Sequence, residues 1–149
     1  MSRTGNRREL LRGPLSYGVV FVLATVVGWR SSVSSVFALV LLCVGDGFAE
    51  LFGKAYGKGR ILGSLPYNRK KTLAGTLAFV VFSWISMELL LALPQTQQHL
   101  VLPNFSPLER SLRIGGVCAV AALAESSTNS DWDNVIVYAA GAVAASIVF

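Results

Sequence analysis

The stretch "CVGDGFAELFGKAYGKGR", residues 43–60, decides how this chain is read. It follows an apolar run, places Asp46 and Glu50 one helical turn apart, and is crowded with glycines and cations. On a helix, residues four apart project from one face, and Lys54 continues the row a turn later. A charged residue deep in lipid costs on the order of 2.5–3.5 kcal/mol on insertion scales, so such residues face a protein interior, water or a partner. Two readings stay open. In the first, the helix ends near Val44, both acids sit at a membrane interface, and Glu50 and Lys54 form a solvated pair. In the second, Asp46 and Glu50 hold Mg²⁺, which takes one or two carboxylates plus substrate phosphates in preference to an all-protein cage.

Of the 149 residues, 53% are hydrophobic and only 14% are charged, and the mean hydropathy is +0.57. Such a composition belongs to membrane proteins and points to an all-α bundle forming one membrane domain over residues 1–149. Crossing a bilayer takes about 20 apolar residues at roughly 1.5 Å of rise each. Five candidate spans meet or approach that length, at about 14–30, 33–52, 72–93, 111–125 and 135–149. Cations collect before the first span and between the second and third, so the positive-inside tendency puts the 53–71 and 126–134 loops on one face. The "PQTQQHLVLPNFSP" connection then lies on the other, its prolines marking a loop. The net charge of +5 is explained by this sidedness, and no basic face interleaved with aromatics points to nucleic acid.

Glycines at 45, 47, 53, 57 and 59 permit close backbone approach and raise the question of a phosphate loop. The P-loop pattern fails. Five residues separate Gly47 from Gly53 where four are required, and Ala55 stands where a metal-binding Ser or Thr belongs. A second segment, "LPYNRKKTLAG" at 65–75, supplies an anion partner: Arg69, Lys70 and Lys71 precede a helix begun by Thr72, so side-chain cations and free backbone N–H groups could meet a triphosphate together. The plainer reading is a positive anchor on anionic lipid. A third segment, "ESSTNSDWDN" at 125–134, is either a solvated acidic turn or a source of a second metal ligand, a nucleotide contact or a proton acceptor. Cys43 and Cys118 lie in apolar runs with no metal-ligand spacing, and no Ser-His-Asp set, zinc pattern or dinucleotide fingerprint occurs.

Taken together, "ELLRGPLSY" (9–17), "CVGDGFAELFGKAYG" (43–57), "LPYNRKKTLAG" (65–75) and, less closely, "AESSTNSDWDN" (124–134) resemble the phytol kinase and farnesol kinase group, which is related to dolichol kinase and CDP-diacylglycerol synthase. The resemblance runs from about Glu9 to the end. It implies a polytopic membrane enzyme that uses CTP and Mg²⁺ to phosphorylate an isoprenoid alcohol, most simply phytol, in plastid membranes on the way to tocopherol. It implies Asp46 and Glu50 as metal ligands, and Asp46, Glu50, Lys71 and Asp133 as catalytic groups. Gly45, Gly47, Gly53, Lys54, Asn68, Lys70, Thr72, Gly75 and Asn134 would contact nucleotide or phosphate, and Glu125 and Ser126 match the family's carboxyl motif. Ser127 and Thr128 replace that motif's Leu-Pro, and Trp132 stands where the first Asp of its acidic pair belongs. The family has further helices before the region of Glu9, so the chain reads as the C-terminal part of such a kinase, one that could complete its bundle by self-association. Cytidylyl transfer to a lipid phosphate and a non-catalytic membrane role are the alternatives.

Overall fold

The computed structural model describes residues 7–28, 31–57, 59, 62–100, 103–128 and 133–149; the side chains of 7–13 and of Asp133 fall outside that description. The described chain is built from α1 (Arg7–Val27), α2 (Val33–Val40), α3 (Asp46–Tyr56), α4 (Leu73–Ala92), α5 (Pro94–His99), α6 (Pro107–Ser127) and α7 (Asp133–Val148), with no strand among the described residues. Between α2 and α3, Leu41–Gly45 make a π turn, so the helix from Val33 to Tyr56 is unbroken. Asp46 and Glu50 therefore stand inside a continuous helix. The helix does not end near Val44, although the solvated Glu50–Lys54 pair of that reading is present.

That helix, with 24 residues, and α4, with 20, are long and apolar enough to cross a membrane. The expectation of five such spans reaches further than the described helices. The apolar parts of α1 and α7, Pro14–Val27 and Asn134–Val148, are shorter, and α6 carries Glu109, Arg110, Arg113 and Glu125 along its length. The proline-marked connection holds α5, which starts with Pro94 at a position where a helix needs no N–H donor.

The core gathers Phe37 and Leu41 with Phe79, Met87 and Leu91 of α4, Ile114, Val117, Cys118 and Ala121 of α6, and Val137 and Ala145 of α7. Small residues set how closely these helices approach, as is usual where apolar surface alone gives no preference between a helix and lipid. A Cβ on Gly141 would lie 2.3 Å from Leu41 Cδ1, so α7 closes directly on the π turn. A Cβ on Gly45 would lie 2.5 Å from Ser83 Oγ and 2.9 Å from the Phe79 ring, which lets the same turn press against α4. Further along, a Cβ on Gly75 would meet the Ala49 carbonyl oxygen at 2.8 Å. Beside this crossing Phe48 stacks on Phe82 at 4.0 Å, with Phe52 tilted against the same ring.

These contacts separate the glycines into two kinds. Gly75→Ala pushes a methyl into backbone that cannot step aside and should cost about 1–3 kcal/mol, read as a lower midpoint of thermal unfolding in detergent. Gly47 is exposed and a Cβ there meets nothing within 4 Å. Gly47→Ala should therefore hold or raise the midpoint, since alanine is the better helix former by about 0.8–1 kcal/mol.

Candidate functional site

Where α3, the start of α4 and the end of α6 meet, a cleft of about 280 Å³ opens. From α3 it takes Asp46, Ala49, Glu50, Gly53 and Lys54. The approach to α4 adds Lys70, Lys71 and Thr72, then Gly75 and Thr76 on the helix itself, and Glu125 closes it from α6. The contribution of α3 follows from helical periodicity: positions 46, 49, 50, 53 and 54 form one stripe. Three carboxylates and three ammonium groups thus line one concavity.

Among the described residues, ion pairs edge and cross it. Lys54 pairs with Glu50 one turn back on α3, with side chains 64% and 52% exposed, so this contact contributes a few tenths of a kcal/mol at most. Lys71 pairs with Glu125 across 54 residues of sequence, with side chains only 13% and 6% exposed. This second pair joins the segment before α4 to the end of α6.

Asn68 strengthens the same junction. It is 3% exposed, and its Nδ2 donates to the carbonyls of Ser126 at 2.8 Å and Thr128 at 3.2 Å, while its Oδ1 accepts from the Lys70 amide at 3.1 Å. Tyr67 adds a 2.9 Å contact between its hydroxyl and Ser126 Oγ. Asn68 thus spends its polar atoms on the protein and holds Lys70 and Lys71 at the cleft.

The start of α4 differs from expectation. Thr72 caps it, with Oγ1 accepting from the Gly75 amide at 3.1 Å. The chain folds back so that the Leu73 amide donates to Gly63 O at 2.9 Å and the Ala74 amide to Leu62 O at 3.3 Å, while the Thr76 amide donates to Thr72 O at 3.0 Å. The first N–H groups of α4 are therefore occupied, and the expectation that they stand free for a triphosphate is corrected. A helix start covered by its own preceding loop has no free N–H groups there to offer an anion.

Of the residues singled out from sequence, Asp46, Glu50, Gly53, Lys54, Lys70, Lys71, Thr72 and Gly75 come together here. Gly45 packs on Phe79 and Ser83, and Gly47 is exposed away from close contacts. Asn134 donates to Ser16 Oγ at 3.1 Å, which ties the start of α7 to α1. Asp131 and the Asp133 side chain lie outside the described residues. Ala49 and Thr76 were not singled out, although the period of the α3 stripe passes through 49 and that of α4 leads from Thr72 to Thr76. Asp46 and Glu50 beside three lysines suit a hard divalent cation that keeps water and phosphate oxygens as ligands; among the described residues no trio of acidic, His or Cys side chains forms a closed metal cage.

The two ion pairs should respond differently to loss of a carboxylate. Glu125→Ala withdraws the buried partner of Lys71 and should cost up to about 3–5 kcal/mol, whereas Glu50→Gln should cost less than about 1 kcal/mol. The double change Lys71→Met with Glu125→Leu should recover most of the first loss, measured as thermal unfolding midpoints in one detergent.

No family model and no solved structure matches the chain. Among curated proteins, the probable phytol kinase 1, chloroplastic, of Glycine max is 36% identical over 126 residues, 85% of this chain and 39% of that protein. Phytol kinase 1, chloroplastic, of Arabidopsis thaliana is 31% identical over 151 residues, covering 100% of this chain and 47% of its own length. The farnesol kinase, chloroplastic, of Arabidopsis thaliana is 37% identical over 86 residues, 58% of this chain and 27% of that protein. The chain thus spans less than half the length of these relatives. On the strength of these relatives, the chain belongs to the phytol kinase and farnesol kinase family.

Proposed function

We propose that the cleft carries phosphoryl transfer from CTP to the hydroxyl of an isoprenoid alcohol, phytol in the first instance, within a chloroplast membrane, in the salvage of phytol toward tocopherol. The observation that carries this reading is the meeting of Asp46 and Glu50 with Lys54, Lys70 and Lys71 in one concavity, in a chain whose relatives are named phytol and farnesol kinases. Phosphoryl transfer asks a protein mainly for positioning and for charge placed around the migrating group. Asp46 and Glu50 would hold Mg²⁺, which when bound offsets charge on the phosphates. Lys70 and Lys71 would take phosphate oxygens, with Asn68 and Glu125 keeping them in place. The alcohol oxygen attacks the γ-phosphorus as the bond to the β-phosphate oxygen breaks, CDP leaves, and the hydroxyl proton passes to a carboxylate of the cleft. The long apolar helices would seat this site in lipid, with α1, α6 and α7 completing the bundle, so that a water-insoluble alcohol would arrive laterally.

Purified protein in nanodiscs, given CTP, Mg²⁺ and phytol, should release phytyl phosphate and CDP in equal amounts. Asp46→Asn, verified as folded and inserted, should lower the rate by about 100-fold or more. Undiminished turnover in that variant would remove Asp46 from the chemistry, and pyrophosphate in place of CDP would replace the kinase with a cytidylyltransferase.

A further inference from the structure

Thr72 and Thr76 both line the cleft, one helical turn apart. The Thr72 hydroxyl oxygen accepts from the Gly75 amide at 3.1 Å and so serves the start of α4. The Thr76 hydroxyl instead donates to the Thr72 carbonyl at 3.2 Å, which turns its proton back along the helix and leaves Oγ1 with acceptor capacity. That bond by itself is the ordinary way for a helical threonine to satisfy its hydroxyl, and Thr25 of α1 makes the same one to the Phe21 carbonyl at 2.8 Å. Thr76 differs in what stands opposite it. A Cβ on Gly45 would meet the Phe79 ring at 2.9 Å, one on Gly53 would meet Thr72 Oγ1 at 2.9 Å, and one on Gly75 would meet the Ala49 carbonyl oxygen at 2.8 Å. The two helices therefore run antiparallel, with 45 beside 79, 49 beside 75 and 53 beside 72. Thr76 comes level with the turn of α3 that Asp46 and Glu50 bound, and all three line one concavity.

We infer that Thr76 Oγ1 is a protein ligand of the divalent cation assigned to Asp46 and Glu50, with water and phosphate oxygens filling the remaining positions. This rests on the phosphoryl-transfer reading for the presence of the cation. An oxygen whose proton is spent on a carbonyl does not suit a phosphate oxygen, which brings no proton of its own. It suits a cation, and a neutral hydroxyl facing two carboxylates makes the all-oxygen donor set that a hard divalent ion takes. The P-loop gives the same task to a Ser or Thr hydroxyl. Ala55 stands where that pattern would put it, and α4 supplies the hydroxyl from across the cleft.

In nanodiscs, Mg²⁺ alone should raise the thermal unfolding midpoint of the full chain, and its concentration dependence gives an apparent affinity. Thr76→Val, of nearly equal volume but without the hydroxyl, should weaken that affinity about tenfold. Thr76→Ser should bring it back to within about twofold of the wild type, and Thr76→Ala replaces Thr76→Val if the latter fails to fold. Thr76→Cys tests direct ligation, because a thiolate selects softer metals. In a Cys43→Ser background it should lose affinity for Mg²⁺ and bind Cd²⁺, with an ultraviolet thiolate-to-metal band that the background alone lacks. No effect of Mg²⁺ on the wild type, an unchanged Mg²⁺ affinity in the hydroxyl-free variant, or no such band in Thr76→Cys overturns the assignment. Failure of the ligand and failure of the kinase are separable. Phytyl phosphate formed with an unchanged Mg²⁺ affinity in Thr76→Val sinks the ligand alone. The affinity loss and the Cd²⁺ band, found in a protein that makes no phytyl phosphate, sink the kinase alone.

Discussion

The buried contact of Lys71 with Glu125, reinforced by the Asn68 side chain on the Ser126 and Thr128 carbonyls, holds the polar half of this protein together. It spans more than fifty residues of sequence and binds the segment ahead of α4 to the last turn of α6. A buried charge left without its partner is costly, so each end of this contact constrains the other. Lys70 and Lys71 are thereby presented toward α3 rather than left to wander with a surface loop. The cleft exists because this junction closes one of its sides.

Its other side depends on close helix approach. Gly45, Gly53 and Gly75 sit where a Cβ would meet Ser83, Thr72 or the Ala49 carbonyl at under 3 Å, so α3 and α4 lie against each other with little between them. The π turn at Leu41–Gly45 widens the helix by one residue just before Asp46, and such insertions re-aim the residues that follow. Acid and lysine come within one small concavity through these two devices, a register change and a glycine-lined crossing.

The occupied start of α4 shapes the chemistry available. With the amides of Leu73, Ala74, Gly75 and Thr76 all engaged inside the protein, the helix end offers no ready anion cradle. In the proposed reaction, phosphate charge would be met by ammonium groups and by a cation held on carboxylates. That division distinguishes this site from a P-loop, in which backbone N–H groups carry much of the load. On that reading, so apolar a chain would keep three lysines and three acids in a single place for phosphate and cation.

Composition and periodicity alone determined an all-α chain, the long apolar segments, and the shared helix face of Asp46, Glu50 and Lys54, because these follow from hydropathy and the 3.6-residue turn. The motifs were also legible, down to the failure of the P-loop spacing. Which residues meet was decided only by tertiary structure. Nothing local announces that Glu125 neutralises Lys71, that Asn68 turns inward to carbonyls rather than outward to phosphate, or that Asn134 holds α1 through Ser16. Those pairings depend on distances between segments far apart in the chain. The unbroken helix from Val33 to Tyr56 belongs to the same class: an ending near Val44 was open from sequence, and packing of the Leu41–Gly45 turn against α4 and α7 accompanies its continuation.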